Sequence, residues 1–181
     1  MQSDEDLILE YLDGNEDAFK ILIDKYIPSI YNFAVRFVGH DNASDVSQDV
    51  FLKVWKNIRK FNSGKSSFKT WIFTITRNTI TDSLRKKKSI PFSMLDTEEV
   101  SFEDNIEDET ILQMDVLSKL DDKEFLNNLL DKLSPNYREV LLLYYTEDMT
   151  FSEIGQLLGK PMNTVKSYHH RALNQLKKMI L

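Results

Sequence analysis

No cysteine occurs in the 181 residues, which excludes a disulfide framework and any thiolate-bound metal. No stretch offers the roughly 18 consecutive apolar residues that a membrane span needs. The opening segment, MQSDEDLILEYLDG, is acidic and lacks the basic start and continuous apolar run of a secretory leader. These absences lead us to expect a soluble, cytoplasmic chain with no membrane insertion. Runs of strictly alternating apolar and polar residues are missing too, as is any internal repeat. Helical periodicity dominates instead, so the expected fold class is all-α.

Catalytic and metal-binding constellations are also lacking. His169 and His170 adjoin, but successive residues on a helix point about 100° apart and no carboxylate pair shares their face. We therefore expect no enzyme activity, no metal and no cofactor. Positive charge is in deficit overall, with 23 Lys and Arg against 29 Asp and Glu, a balance that taken whole argues against a nucleic-acid partner. Divided along the chain, the balance reverses that conclusion. Residues 1–88 hold 14 basic and 12 acidic side chains, residues 89–130 hold 2 and 12, and residues 131–181 hold 7 and 5. Within 57–88 alone, nine Lys or Arg face the single Asp82. Two basic regions thus flank an acidic connector, and the overall pI misleads about partners.

Helix signals follow in order. Ser3 and Gly14 bracket a short helix, and Asn15 opens a longer one reaching toward Gly39, with Pro28 a kink or break. Further helices are expected over about 43–59 and 67–87. After Lys88 the pattern fails in SIPFSMLDTEEVSFEDNIEDET, a linker composition. Order is expected to resume near Asp121 or Asp122, and Ser134-Pro135 starts a helix ending near Thr146. The expected architecture is two small helical domains, 1–88 and 122–181, joined by an acidic flexible linker over 89–121.

The segment from Thr150 to Leu181 reads as a helix-turn-helix. Thr150 and Glu153 have capping-box spacing, Gly159 supplies the permissive turn backbone, and Pro161 opens the second helix where a missing N–H costs nothing. On a wheel of residues 161–178, Met162, Val165, Ala172, Leu173 and Leu176 gather on one side. The other side carries Asn163, Lys166, Ser167, His170, Arg171, Asn174, Lys177 and Lys178, a mixture of base-edge readers and phosphate neutralisers. An amphipathic helix with an ordinary solvated face is the bland alternative.

Two upstream segments have surplus apolar surface. Between Asp45 and Ile58, Val46, Val50, Phe51, Val54 and Ile58 form a core side, opposite Asp45, Gln48, Asp49, Leu52 and Trp55. Solvated faces seldom spend a Leu and a Trp, so this side reads either as a docking surface for a protein or as a Trp packed beneath another helix. From Arg59 to Lys88, Phe73, Ile80 and Leu84 make one stripe, while Phe68, Trp71, Ile72, Ile75, Asn78 and Asp82 make a second. One helix in so small a domain is not expected to bury both. The second stripe is hemmed by Lys65, Lys69, Arg77 and the run from Arg85 to Lys88, and aromatic faces among cations suit stacked bases and phosphates. A core helix with a solvated basic tail is the alternative.

Taken together, DNASDVSQDVFLKVW, SFKTWIFTITRNTITDSLRKK and LSPNYREVLLLYYTEDMTFSEIGQLLGKPMNTVKSYHHRALNQLKK resemble, in order, the signature blocks of the ECF (extracytoplasmic function) group of bacterial RNA polymerase sigma factors. The resemblance implies a sigma factor that binds core polymerase and directs promoter-specific initiation. It implies a region 2 module in which Asp45, Gln48, Asp49, Phe51, Leu52 and Trp55 dock on the polymerase clamp. It assigns Phe61, Asn62, Ser63, Lys65, Phe68, Lys69, Trp71, Arg77, Asn78 and Arg85 to opening and reading the −10 element, duplex and then single-stranded, with a base flipped into the loop before the Trp-bearing helix. Base extrusion costs a few kcal/mol, offset by stacking of roughly 1–3 kcal/mol per base. It implies a region 4 module whose Asn163, Thr164, Lys166, Ser167, His170 and Arg171 enter the major groove at the −35 element, while an apolar surface of that module meets the polymerase flap. An anti-sigma factor is a further partner that the resemblance admits.

The chain departs from the family at three places. His169 stands at a position usually apolar, and is read as a core or boundary histidine rather than a base reader. Asp49 stands where Glu is common, which keeps the charge, and Thr76 replaces a common Ala before the Arg-Asn pair. The linker reaches far enough: 35–40 extended residues at roughly 3.4 Å each exceed 100 Å, whereas 17 base pairs span less than about 60 Å. By the resemblance it threads toward the RNA exit path; alternatively its acids fold back on the basic faces and weaken DNA binding by free protein. The rival function is a stand-alone helix-turn-helix repressor or activator, which leaves both upstream surfaces unused.

Overall fold

The computed structural model describes residues 2–86 and 123–180, with the side chains of 123–126 excepted, and the acidic stretch 89–121 lies outside the described residues. Among the described residues every regular element is helical, in agreement with the all-α expectation. The chain divides into two units, residues 1–90 and 91–181.

In the N-terminal unit, α1 (Asp4–Leu12) starts from a capping box, with Asp6 N donating to Ser3 Oγ and Ser3 N to Asp6 Oδ2. Helix α2 (Glu16–Val38) runs unbroken through Pro28, contrary to a break there. Pro28 is exposed, so the carbonyl its ring leaves without a donor is within reach of water, and the buried row Leu22, Tyr26, Ile30, Phe33 and Ala34 holds the helix together on its other side. Gly39, at φ 75°, turns the chain into α3 (His40–Asn57), which therefore begins three residues before its expected start at 43, and a 3₁₀ turn over Ile58–Lys60 ends it. Val46, Val50 and Val54 recur every four residues and are all buried; burying each stabilises the fold by about 1.5–3 kcal/mol.

Helix α4 (Phe68–Lys86) corrects the two-stripe expectation. Phe68 and Ile72 are fully buried along with Phe73 and Ile80, whereas Leu84 is only half-buried. The physical reason is the length of α2. Tyr26 and Phe33, two turns apart on α2, meet Phe68 and Phe73 edge-on at 5.4 Å each, so one long helix reaches a member of each stripe, while Trp71 and Ile75 stay half-buried and Asn78 exposed.

The C-terminal unit contains α5 (Lys123–Asp131), α6 (Pro135–Tyr145), α7 (Phe151–Leu158) and α8 (Met162–Ile180). Arg138 on α6 ties down the end of α5, donating to the carbonyls of Leu130 at 2.9 Å and Asp131 at 2.7 Å while pairing with the Asp131 carboxylate at 3.2 Å. Pro135 sits in the first turn of α6 as expected, though the Ser134 side chain makes no cap bond. Val140, Leu143, Met149, Ile154, Val165, Ala172 and Leu173 form the core of this unit.

Candidate nucleic-acid interface

The helix-turn-helix is built as its spacing implies. Thr150 N donates to Glu153 Oε2 at 2.9 Å, and Glu153 N donates back to Thr150 Oγ1 at 3.3 Å. Gly159 closes α7 in the left-handed region, at φ 65° and ψ 31°. A feature absent from the sequence reading is Gly155, inside α7: a Cβ there would lie 2.8 Å from the Lys160 carbonyl oxygen. The backbone of the turn crosses α7 at the one residue without a side chain. A glycine in mid-helix, where it is normally unfavourable, was the available signal.

On α8, Asn163 is exposed, and Thr164, Lys166, Ser167, His170 and Arg171 are half-buried along one side. His170 Nε2 is 2.9 Å from Asn174 Nδ2, and the Lys166 ammonium stands 6.0 Å from the Phe151 ring. Met162, expected on the apolar side, is 46% exposed. It occupies the first turn of α8, where its backbone lies close to Gly155 of α7 while the residue stays exposed. His169 is fully buried, with Nε2 3.1 Å from the Tyr145 hydroxyl and its ring against Tyr144 and Phe151 at 4.9 and 5.1 Å. That is the expected core position. Burial, reinforced by the neighbouring His170, lowers its pKa from 6.5 to about 4, and Nδ1 has no hydrogen-bond partner.

In the N-terminal unit, Phe61 anchors the loop before α4, its ring 5.5 Å from both Phe68 and Trp71. Asn62 shapes the loop by accepting from Gly64 N at 2.9 Å through Oδ1, while its carbonyl accepts from Lys65 N at 3.0 Å. Ser67 caps α4, accepting from Thr70 N at 3.2 Å. Around this cluster Asn62, Ser63, Lys65 and Asn78 are exposed, and Phe61, Lys69, Trp71 and Arg77 half-buried. Phe68, expected among the base-facing aromatics, is instead the floor beneath Phe61 and Trp71, with no exposed surface. Arg85 stands apart: it is 14 residues beyond Trp71, about 21 Å along the helix, and is paired with Asp82 at 2.8 Å.

The α3 face presents Asp45, Gln48, Asp49, Leu52 and Trp55 to solvent. Leu52 is 52% and Trp55 55% exposed, which removes the alternative of a Trp packed beneath another helix. Phe51 sits half-buried at the margin of this face. Among the described residues no cluster of His, Asp and Glu has metal-binding geometry, and no helix is long and apolar enough to cross a membrane.

Residues 22–90 match the family model Sigma-70 region 2, and residues 126–176 match Sigma-70, region 4. The chain is 30% identical over 171 residues to the ECF RNA polymerase sigma factor SigW of Bacillus subtilis, covering 92% of this chain and 91% of that one. It is also 30% identical over 172 residues to RNA polymerase sigma factor YlaC of the same organism, covering 94% of each. Among solved structures it is similar to the sigma factor RpoE from Bartonella quintana, crystallised with the anti-sigma factor NepR, at a TM-score of 0.66 and 27% identity over 90% of this chain and 96% of that one. The fold is shared with CnrH, solved in complex with the cytosolic domain of CnrY, at a TM-score of 0.70 and 22% identity over 99% of this chain and 97% of that one.

Proposed function

Because the chain belongs to the ECF family of RNA polymerase sigma factors, we propose that its three candidate surfaces divide promoter-specific initiation among the polymerase clamp, the −10 element and the −35 element. The chain is not an enzyme; it is a sigma factor that directs where RNA polymerase starts transcription. A stand-alone helix-turn-helix regulator would account for neither the region 2 match nor the exposed face of α3.

The observation that carries the division is the pairing of two unlike surfaces on one small unit. On α3, two carboxylates and an amide surround exposed Leu52 and Trp55, the make-up of a protein-docking patch with an apolar centre and polar rim. At the start of α4, Phe61 and Trp71 offer ring surface over a rigid Phe68 floor, with Asn62, Ser63 and Lys65 around them. A base leaving the duplex would stack there, with Asn62 and Ser63 at its edge and Lys65, Lys69 and Arg77 on the flanking phosphates. Asn78 extends that surface along α4, and Arg85 serves as a remote phosphate contact.

For the −35 element, Asn163, Thr164, Lys166, Ser167, His170 and Arg171 lie on the side of α8 away from its core. Asn163 and Thr164, in the first turn, are placed for base edges, and the cations for phosphates. His169 has no part in reading because it is buried. The polymerase flap meets an apolar surface of the same unit, and the protein acts in the cytoplasm, where its polymerase is. An anti-sigma factor is a further partner, supported by the 27% identical RpoE, which was crystallised with one; affinity capture that returned polymerase alone would count against it.

The test is transcription by a bacterial core polymerase, free of other sigma factors, from the DNA upstream of this chain's own gene. Specific transcripts are expected. Asp49→Ala should lower the affinity for core polymerase, and Asn163→Ala should leave that affinity unchanged while weakening promoter binding by the about 1–3 kcal/mol of a lost base contact. Tight duplex binding by the free protein with no initiation would overturn the division.

A further inference from the structure

We propose that Lys53 and Asp82 form a strap through which polymerase docked on α3 positions the DNA-opening helix α4; this rests on the assignment of those two helices above. Lys53 stands on α3 one turn after Asp49 and beside Leu52. Its ammonium donates to Thr79 Oγ1 at 3.0 Å and lies 3.7 Å from Asp82 Oδ2. The Thr79 hydroxyl donates onward to the Ile75 carbonyl at 2.8 Å, and Asp82 Oδ1 accepts from Arg85 Nη2 at 2.8 Å. One cation of α3 therefore grips two successive turns of α4.

The position of the strap gives it more than a packing role. Lys53 lines a groove of about 760 Å³ together with Asp45, Asp49 and Leu52 of α3 and with Thr79 and Asp82 of α4. A partner seated on those docking residues closes over the strap. Asp82 is moreover the single acid between residues 57 and 88. A carboxylate on a helix that approaches phosphates repels them, and here it is neutralised from two sides, by Arg85 of its own helix at 2.8 Å and by Lys53 of α3 at 3.7 Å.

In the free protein the strap is weak. The Lys53 and Asp82 side chains are 43% and 46% exposed, and exposed ion pairs are screened by water and add little to stability. Covering the groove excludes that water and lowers the local dielectric, so the same pair then holds α4 more firmly. Docking on one helix thereby stiffens the register of the other, and Lys53 and Asp82 act as positioning residues without touching DNA.

The experiment uses holoenzyme assembled from core polymerase with the intact chain or with Lys53→Met, Lys53→Arg, Asp82→Asn, or Lys53→Met combined with Asp82→Asn. Promoter opening is read by permanganate reactivity of unpaired thymines on duplex DNA, initiation is read on a promoter pre-opened by mismatches, and thermal unfolding is followed for each free protein. Lys53→Met and Asp82→Asn should each slow duplex opening by about fivefold or more, and the double variant should be no slower than either single, as for two ends of one interaction. Lys53→Arg should stay within about twofold of the intact chain, and initiation from the pre-opened promoter should stay within about twofold for every variant. Equal losses on both templates, additive effects in the double variant, opening rates that follow lost thermal stability, or no loss at all would each overturn the strap. Failure of the intact chain to initiate would overturn the helix assignments themselves, and the strap with them.

Discussion

Two residues in the C-terminal unit show how much a single position decides. His169 is held between Tyr144, Tyr145 and Phe151, and its pKa is lowered to about 4 by burial and then by the charge of His170. In the unfolded chain an ordinary histidine takes its proton near pH 6.5. Between those values the unfolded state binds more protons than the folded one, so the contribution to stability is present above pH 6.5 and is lost as pH falls toward 4. Thermal unfolding of the chain at pH 7 and at pH 5 should show the C-terminal unit melting earlier in acid, and His169→Leu should flatten that difference. Gly155 is the second such position. A methyl group there meets the Lys160 carbonyl at 2.8 Å, and the obstacle is backbone, so the turn has to move. Gly155→Ala should destabilise the unit by about 1–3 kcal/mol in urea denaturation despite the better helix propensity of alanine. Stability equal to the unchanged chain would show that the turn yields freely.

At the scale of elements, α4 is a helix that its own sequence does not favour. Its 19 residues, FKTWIFTITRNTITDSLRK, are rich in threonine and isoleucine, whose branched side chains lose rotamer freedom in a helix. The hydroxyls of Thr74, Thr76, Thr79 and Thr81 all bond back to the carbonyl four residues earlier, a pattern that slightly weakens and bends helices. Packing of Phe68, Ile72, Phe73 and Ile80 holds the element together. Thr74→Ala with Thr81→Ala, at two half-buried positions outside the proposed interfaces, should therefore raise stability by about 0.5–1 kcal/mol, read as a later urea midpoint. By contrast α7 depends on its cap: it has only eight residues, too few to persist alone. Thr150→Ala should cost about 1 kcal/mol by removing the acceptor for Glu153 N.

The whole molecule is organised by charge as well as by fold. Asp96, Glu98, Glu99, Glu103, Asp104, Glu107, Asp108 and Glu109 lie in sequence between the helices that end at Lys86 and begin at Lys123, and the cations proposed to face DNA lie before and after them. If those acids compete with phosphate for the cations, replacing them with Asn and Gln should tighten promoter binding by the free protein, most visibly at low salt where screening is weakest. Unchanged affinity at fixed low salt, measured by fluorescence anisotropy on duplex promoter, would sink self-masking.

Helix class, the two-unit organisation and the helix-turn-helix were legible in the sequence because they rest on local signals. Thr150 and Glu153 are three residues apart, Gly159 needs no side chain for its turn, and Val46, Val50 and Val54 repeat at the helical period. The buried place of His169 was legible for the same reason. What only the tertiary structure decided depends on partners distant in sequence. Phe68 became a floor and not a stacking face because Tyr26, 42 residues earlier, lies against it. Pro28 stayed helical because three other helices pack around α2. Lys53 met Thr79 and Asp82 because α3 and α4 lie side by side. A helical wheel ranks the faces of one helix; how many of those faces are covered is set by the other helices, and no local pattern encodes that number.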